Sequence, residues 1–190
     1  LEKFYGEKGI QLIAESHSKA IDHIEQIVGE EGIVCDFERV DGFLFVPEAE
    51  SADLLEREAA LVKKLGKECL SLSQTPFPSF KTGPALQFPE QAQFHILKYL
   101  AGLLKALSRY PCQIFTHSAV QDIQDGSPFS LKTAAGATVS AKNVIVASSM
   151  PINNRFFIHT KQAPYRTYVI TGTVPKNAFP KGFYWDTLDP

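Results

Sequence analysis

From residue 10 to residue 28 apolar side chains recur at three- and four-residue steps: Ile10, Ile13, Ala14, Ile21, Ile24, Ile27 and Val28, with His17 in the same stripe. That spacing predicts an amphipathic helix, and Gly29 and Gly32 fit its end. Over 33–46 the period shifts toward two: Cys35, Phe37 and Arg39 alternate with Asp36, Glu38 and Val40, and Phe43-Leu-Phe-Val46 follows Gly42. Two strands, or one bent at Asp41-Gly42, are expected. Ser51 is a candidate N-cap for a second helix, with Asp53 in its first turn and Leu54, Leu55, Ala59, Val62 and Leu65 as its buried stripe. Pro76, Pro78, Gly83 and Pro84 punctuate a loop before a short strand at 85–88. A third helix over 94–107 should bury Leu97, Leu100, Ala101, Leu104 and Leu107.

Beyond Tyr110-Pro111 the texture changes to short strands at 112–116, 119–123, 129–133, 138–140 and 143–147. Turn signals at Asp125-Gly126 and Ala135-Gly136 make the central three a meander. One long strand is expected over 165–174, ended by Pro175, with 183–185 as its partner. The fold class is therefore mixed α/β.

The 190 residues are 44% hydrophobic, enough for one ordinary domain or two small ones. The formal charge of −2 is scattered, which argues against a nucleic-acid partner or an anionic membrane surface and favours a small-molecule ligand. No apolar run approaches the ~20 residues of a membrane span, so a soluble, cytoplasmic protein is expected. Cys35, Cys69 and Cys112 are far apart, show no metal spacing and sit beside apolar neighbours; reduced core thiols are the expectation, and no metal site is predicted. The chain lacks an initiator methionine and stops at Asp189-Pro190 directly after an expected strand, which reads as an internal fragment.

Candidate chemistry begins at Val144-Ile-Val-Ala-Ser-Ser149, an apolar strand running into a small-residue turn that can bring backbone N–H groups close to a ligand. Together with His95-Ile-Leu-Lys-Tyr-Leu100, Ile114-Phe-Thr-His-Ser-Ala-Val120 and Thr133-Ala-Ala-Gly136, this turn resembles the flavoprotein family of D-amino-acid oxidase, glycine oxidase and sarcosine oxidase. The stretch from Ile13-Ala-Glu-Ser-His17 through Cys35-Asp-Phe-Glu-Arg39 looks most like the bacterial branch that often carries a C-terminal Rieske module; these residues encode no such module.

The resemblance implies FAD as cofactor, with Ala119, Val120, Ala147, Ser148 and Ser149 beside it and the Val120 backbone offered to adenine. It implies an amine or amino-acid substrate, with His95, Arg166, Tyr168 and Tyr184 on the substrate side. An arginine can pair with a substrate carboxylate, and aromatics can enclose an amine. Each has a plainer reading: Val120 and the aromatics as packing in strands, His95 as a helix-start hydrogen-bonding group, and 147–149 as a strand end turning into a loop.

Two departures limit the carry-over. Ile96 replaces the family's usual proline, which matters little, and Ser149 stands where many relatives have glycine, so backbone and cofactor approach less closely there. No GxGxxG occurs anywhere in the sequence. The resemblance therefore places the pyrophosphate-binding segment before Leu1 and the later cofactor and catalytic residues after Pro190.

The expected organisation is a partial dinucleotide-binding domain with a β-meander (1–32 and 92–160) and a partial mixed-sheet substrate domain (33–91 and 161–190). The implied reaction removes hydride from the carbon beside an amine. A catalytic base and an oligomeric state cannot be assigned from these residues. Two alternatives stay open: a non-catalytic binding module that keeps the fold without flavin, and a nicotinamide-dependent dehydrogenase lacking the same fingerprint.

Overall fold

The computed structural model describes residues 2–48, 51–78, 80–148 and 165–188. They form two compact units, one comprising 1–111 with 173–190 and the other 112–172.

In the first unit the leading apolar stripe forms α1 (Glu2–Glu31), kinked at Gly6. Its end is closed by the glycine the sequence singled out. Gly32 turns left-handed at φ 61, its N–H donates to the Gly29 carbonyl, and the Ile33 N–H reaches back to the Val28 carbonyl at 2.9 Å. These two bonds satisfy carbonyls a helix end leaves open, and Ile33 then packs beside Val28. Left-handed Asp36 (φ 55) breaks the extended run expected from residue 33, so the strand starts later, as β1 (Glu38–Phe45). It is one strand rather than two, with a bulge: Val40 faces Gln91 and Gly42 faces Phe88 in β3 (Ala85–Gln93). Beside β3 lies the short β2 (Leu70–Leu72), which the sequence pattern had not suggested.

The second helix, α2 (Asp53–Lys64), is capped one residue later than expected. Ala52 occupies the cap, while the Ser51 hydroxyl still accepts the Asp53 N–H at 3.2 Å. The third, α3 (Ile96–Leu107), is capped by His95, whose Nδ1 accepts the Lys98 N–H at 3.4 Å. The His95 N–H also donates to the Cys35 carbonyl at 2.7 Å.

The last strand of this unit, β7 (Phe183–Asp186), pairs in parallel with β1, giving the sheet order β2-β3-β1-β7. The expected pairing of 183–185 with a strand over 165–174 is overturned. Residues 165–174 make no ladder, and a strand without a partner has nothing to satisfy its backbone.

Two apolar clusters hold this unit. Ile33, Cys35 and Tyr99 pack with Val28 and Leu103, joining α1 to α3. Val46, Leu55 and Leu86 pack with Ala59 and Cys69, joining α2 to the sheet. The stripe expected to be buried on α3 is the wrong one: Leu97, Leu100, Leu104 and Leu107 are exposed, as is Ala101, and Tyr99 is the buried residue. The helix is apolar on nearly every side, so periodicity alone could not choose the face that meets Ile33. Of the three free cysteines Cys35 is buried and Cys69 half-buried, but Cys112 is exposed rather than core.

The second unit contains the expected meander: β4 (Val120–Gln124), β5 (Phe129–Thr133) and β6 (Thr138–Ala141), antiparallel in the order β4-β5-β6. Gly136 makes the second turn at φ 85. Residues 112–116 and 143–147 are not strands, because neither segment enters a ladder.

Candidate functional site

The meander carries a groove of about 370 Å³. Its walls include Val120 and Ile123 of β4, Leu131 of β5, and the segment from Val144 to Ser148, with Ala119 at its rim. Four of the five residues expected at the cofactor, Ala119, Val120, Ala147 and Ser148, are thus brought to one place. Ser149 lies outside the described residues.

Two features of β4 shape the groove. Val120 and Ile123 are three apart, a spacing that sends side chains to opposite faces of a regular strand. The ladder shifts between Val120 and Asp122: Val120 faces Thr133 while Asp122 faces Lys132, so Gln121 is an extra residue. This bulge returns Ile123 to the face of Val120. Period-two alternation is broken here, so the sequence pattern did not mark Ile123 and Leu131 as groove residues.

The second feature is the backbone. The Ala134 N–H donates to the Ala119 carbonyl at 2.8 Å, so that carbonyl points toward β5. The Ala119–Val120 peptide is trans, which directs the Val120 N–H the opposite way. In an extended residue the carbonyl lies on the same side as its own N–H. Both Val120 groups therefore project from the outer edge of β4, where no strand is paired among the described residues.

The substrate-side candidates do not share this groove. In the second unit Tyr168 is 90% exposed and Arg166 is also exposed. In the first unit His95 is engaged as the α3 cap. Tyr184 stacks on Phe43 with ring centroids 4.9 Å apart and meets Phe77 edge-on at 5.4 Å. Burial, and then the nearby Asp41 carboxylate, push its phenol above the usual tyrosine range.

The first unit has larger hollows of about 520 and 550 Å³. Several of their charged groups are committed to partners. Arg39 bonds Glu25 and Asp22 and donates to the Glu90 carbonyl at 2.9 Å; Lys98 pairs with Asp36, and Arg109 with Glu31. The Glu25 and Asp22 bonds hold the Arg39 guanidinium above its ordinary pKa. The smaller groove is lined mainly by apolar side chains, with the Val120 N–H and carbonyl at an edge that no strand pairs among the described residues. Among the described residues no group of acidic, histidine or cysteine side chains could hold a metal ion. Among the described residues no helix is long and apolar enough to cross a membrane.

The family model for FAD dependent oxidoreductases matches residues 4–189, and the chain belongs to that family. Over 189 residues it is 27% identical to YhfW of Bacillus subtilis (strain 168), a protein named for a Rieske 2Fe-2S iron-sulfur centre; the match covers 99% of this chain and 37% of that one. Among solved structures, glycine oxidase from Geobacillus kaustophilus superposes with a TM-score of 0.57 at 23% identity, over 70% of this chain and 38% of that chain. L-proline dehydrogenase from P. horikoshii gives 0.54 at 12% identity, over 75% and 38%. Both likenesses concern the fold. The chain spans little more than a third of the length of the relatives it matches.

Proposed function

We propose that this chain supplies the adenine-side wall of the cofactor site in an FAD-dependent oxidoreductase that oxidises an amine or amino acid. The observation carrying this reading is the meeting of Val120, its outward backbone edge and the 147–148 segment on one apolar groove.

The residues present fit that group. An adenine ring needs a flat apolar slot together with one donor and one acceptor for its amidine edge, and Val120 offers both from adjacent backbone atoms. Val120 and Ile123 would cover the ring, and the small side chains of Ala147 and Ser148 would leave room for the nucleotide. When bound, the flavin supplies the acceptor for the hydride that leaves the carbon beside the amine. On the substrate side His95, Arg166, Tyr168 and Tyr184 are proposed contacts, with Arg166 pairing with a carboxylate. Residues 1–32 and 92–160 belong to the cofactor part in this proposal, and 33–91 and 161–190 to the substrate part. The pyrophosphate would be held by residues other than these, because the sequence has no GxGxxG.

The test uses the full-length protein. Ala147→Leu should fill nucleotide space and cut FAD affinity about tenfold or more, since over-packing costs about 1–3 kcal/mol. Ala60→Leu, at an exposed position of α2 that does not line the groove, should leave bound flavin unchanged. Equal flavin content in the two variants, at equal apoprotein melting temperature, would refute the site, and full-length wild-type protein that binds no flavin would favour a module without it.

A further inference from the structure

Thr133 is the one buried residue among those described in its unit, at 7% exposure, and it is polar. It is tied to Ala137 three times. Its N–H donates to the Ala137 carbonyl at 2.9 Å, its hydroxyl donates to the same carbonyl at 3.3 Å, and its Oγ1 accepts the Ala137 N–H at 3.0 Å. The Gly136 N–H closes the turn on the Thr133 carbonyl at 2.9 Å. Thr133 also stands opposite Val120 in the ladder, and its neighbour Ala134 supplies the N–H that holds the Ala119 carbonyl. The Gln121 bulge interrupts the ladder on the other side of Val120. The β4–β5 register therefore cannot by itself fix the direction of the Ala119–Val120 peptide; the 133–137 turn does so through Ala134.

We propose that Thr133 is a positioning residue for nucleotide recognition: its hydroxyl locks the 133–137 turn, and the locked turn aims the Val120 N–H and carbonyl at the adenine edge. This rests on the assignment of the groove to the FAD adenine. A hydroxyl is needed because only an oxygen can take the Ala137 N–H; a methyl group of the same shape leaves that donor unpaired and frees the turn to relax. The hydroxyl touches no ligand. It acts through two backbone links.

The experiment measures binding of FAD and of flavin hypoxanthine dinucleotide to full-length apoprotein, with apoprotein melting recorded alongside. In the hypoxanthine analogue an oxygen replaces the adenine amino group and the adjacent ring nitrogen carries a proton, so donor and acceptor are exchanged on the edge facing Val120. Wild-type protein should prefer FAD by about tenfold or more. Thr133→Val should lose most of that preference by weakening FAD alone, and Thr133→Ser, which keeps the hydroxyl, should restore it. A Thr133→Val protein that binds both dinucleotides more weakly by the same factor would overturn the inference, because a purely structural threonine moves both equally. Failure of Thr133→Val to fold would overturn it too, by making the residue a requirement of the fold. Wild-type protein that does not distinguish the two dinucleotides would overturn the Val120 assignment itself, and this inference with it.

Discussion

In the unit formed by 1–111 and 173–190, Val46, Cys35 and Leu86 are no more than 2% exposed, and the two clusters around them each join a helix to its neighbour. Among the described residues of 112–172 several apolar side chains stand open: Phe115 at 73%, Val139 at 51% and Ile145 at 91%. Both stretches are rich in Val, Ile, Leu and Phe, so composition does not separate them. Burial does. The first unit builds two buried clusters, although α3 leaves Leu97, Leu100, Leu104 and Leu107 exposed, whereas the second has no buried apolar side chain among its described residues. Open apolar area of this kind marks a place that something else covers. The difference separates a unit with buried apolar clusters from one without them among its described residues.

The largest effect that could break this comparison is a core deletion. Leu86→Ala should cost about 2–5 kcal/mol, as truncations of fully buried leucines do, whereas Ile145→Ala should change stability by no more than about 0.5 kcal/mol. Chemical denaturation of both variants is the check. A loss at Ile145 as large as that at Leu86 would mean the second unit has a core of its own.

Much of the first unit was legible because its signals are local. The α1 stripe, its close at Gly32 and the helix opened by His95 all depend on residues within a turn of one another. The meander was legible for the same reason, since Asp125-Gly126 and Ala135-Gly136 punctuate it directly. What failed depends on distant partners. Residues 165–174 have the texture of a strand but pair with none of the described residues, and 183–185 found β1 instead. The buried face of α3 was set by Ile33 and Cys35, some 60 residues earlier, rather than by its own period. In the proposed site, Val120 and the small residues of 147–148 were suggested by a likeness to a family, which also included Thr133 without giving it a role. Ile123 was hidden because a bulge changes strand parity, and the hydrogen bonds of Thr133 are not displayed by a sequence.

A smaller effect sharpens the picture of the second unit. Gly136 has φ 85, a region that β-branched residues strongly avoid. A Cβ added there meets nothing within 4 Å, so the cost of Gly136→Val is backbone strain alone, about 1–2 kcal/mol. Since the same turn carries Thr133 and Ala134, this variant should also weaken FAD binding by full-length protein, read by flavin fluorescence. A Gly136→Val protein with an unchanged denaturation midpoint would show that the turn tolerates distortion and could not aim anything.

The smallest effect is a pH dependence in the first unit. Hydrogen bonds from Lys181 hold the Glu38 carboxylate below its ordinary range, and a hydrogen bond from Lys98 does the same for Asp36. Each carboxylate is thus easier to ionise in the folded chain than in the unfolded one. Such a group adds stability at pH values above its unfolded pKa, and the contribution disappears as the pH falls through the folded value. Both pairs are open to solvent, so the contribution is modest and salt screens it. Glu38→Gln should therefore melt slightly below wild type at pH 7, with the gap closing as the pH falls below about 4, and closing likewise at neutral pH in 1 M salt. Thermal melts at two pH values and two salt concentrations read this directly. A gap that persisted in acid would mean that Glu38 acts through its bond with Gln93 at 3.3 Å, which survives loss of charge, rather than through Lys181.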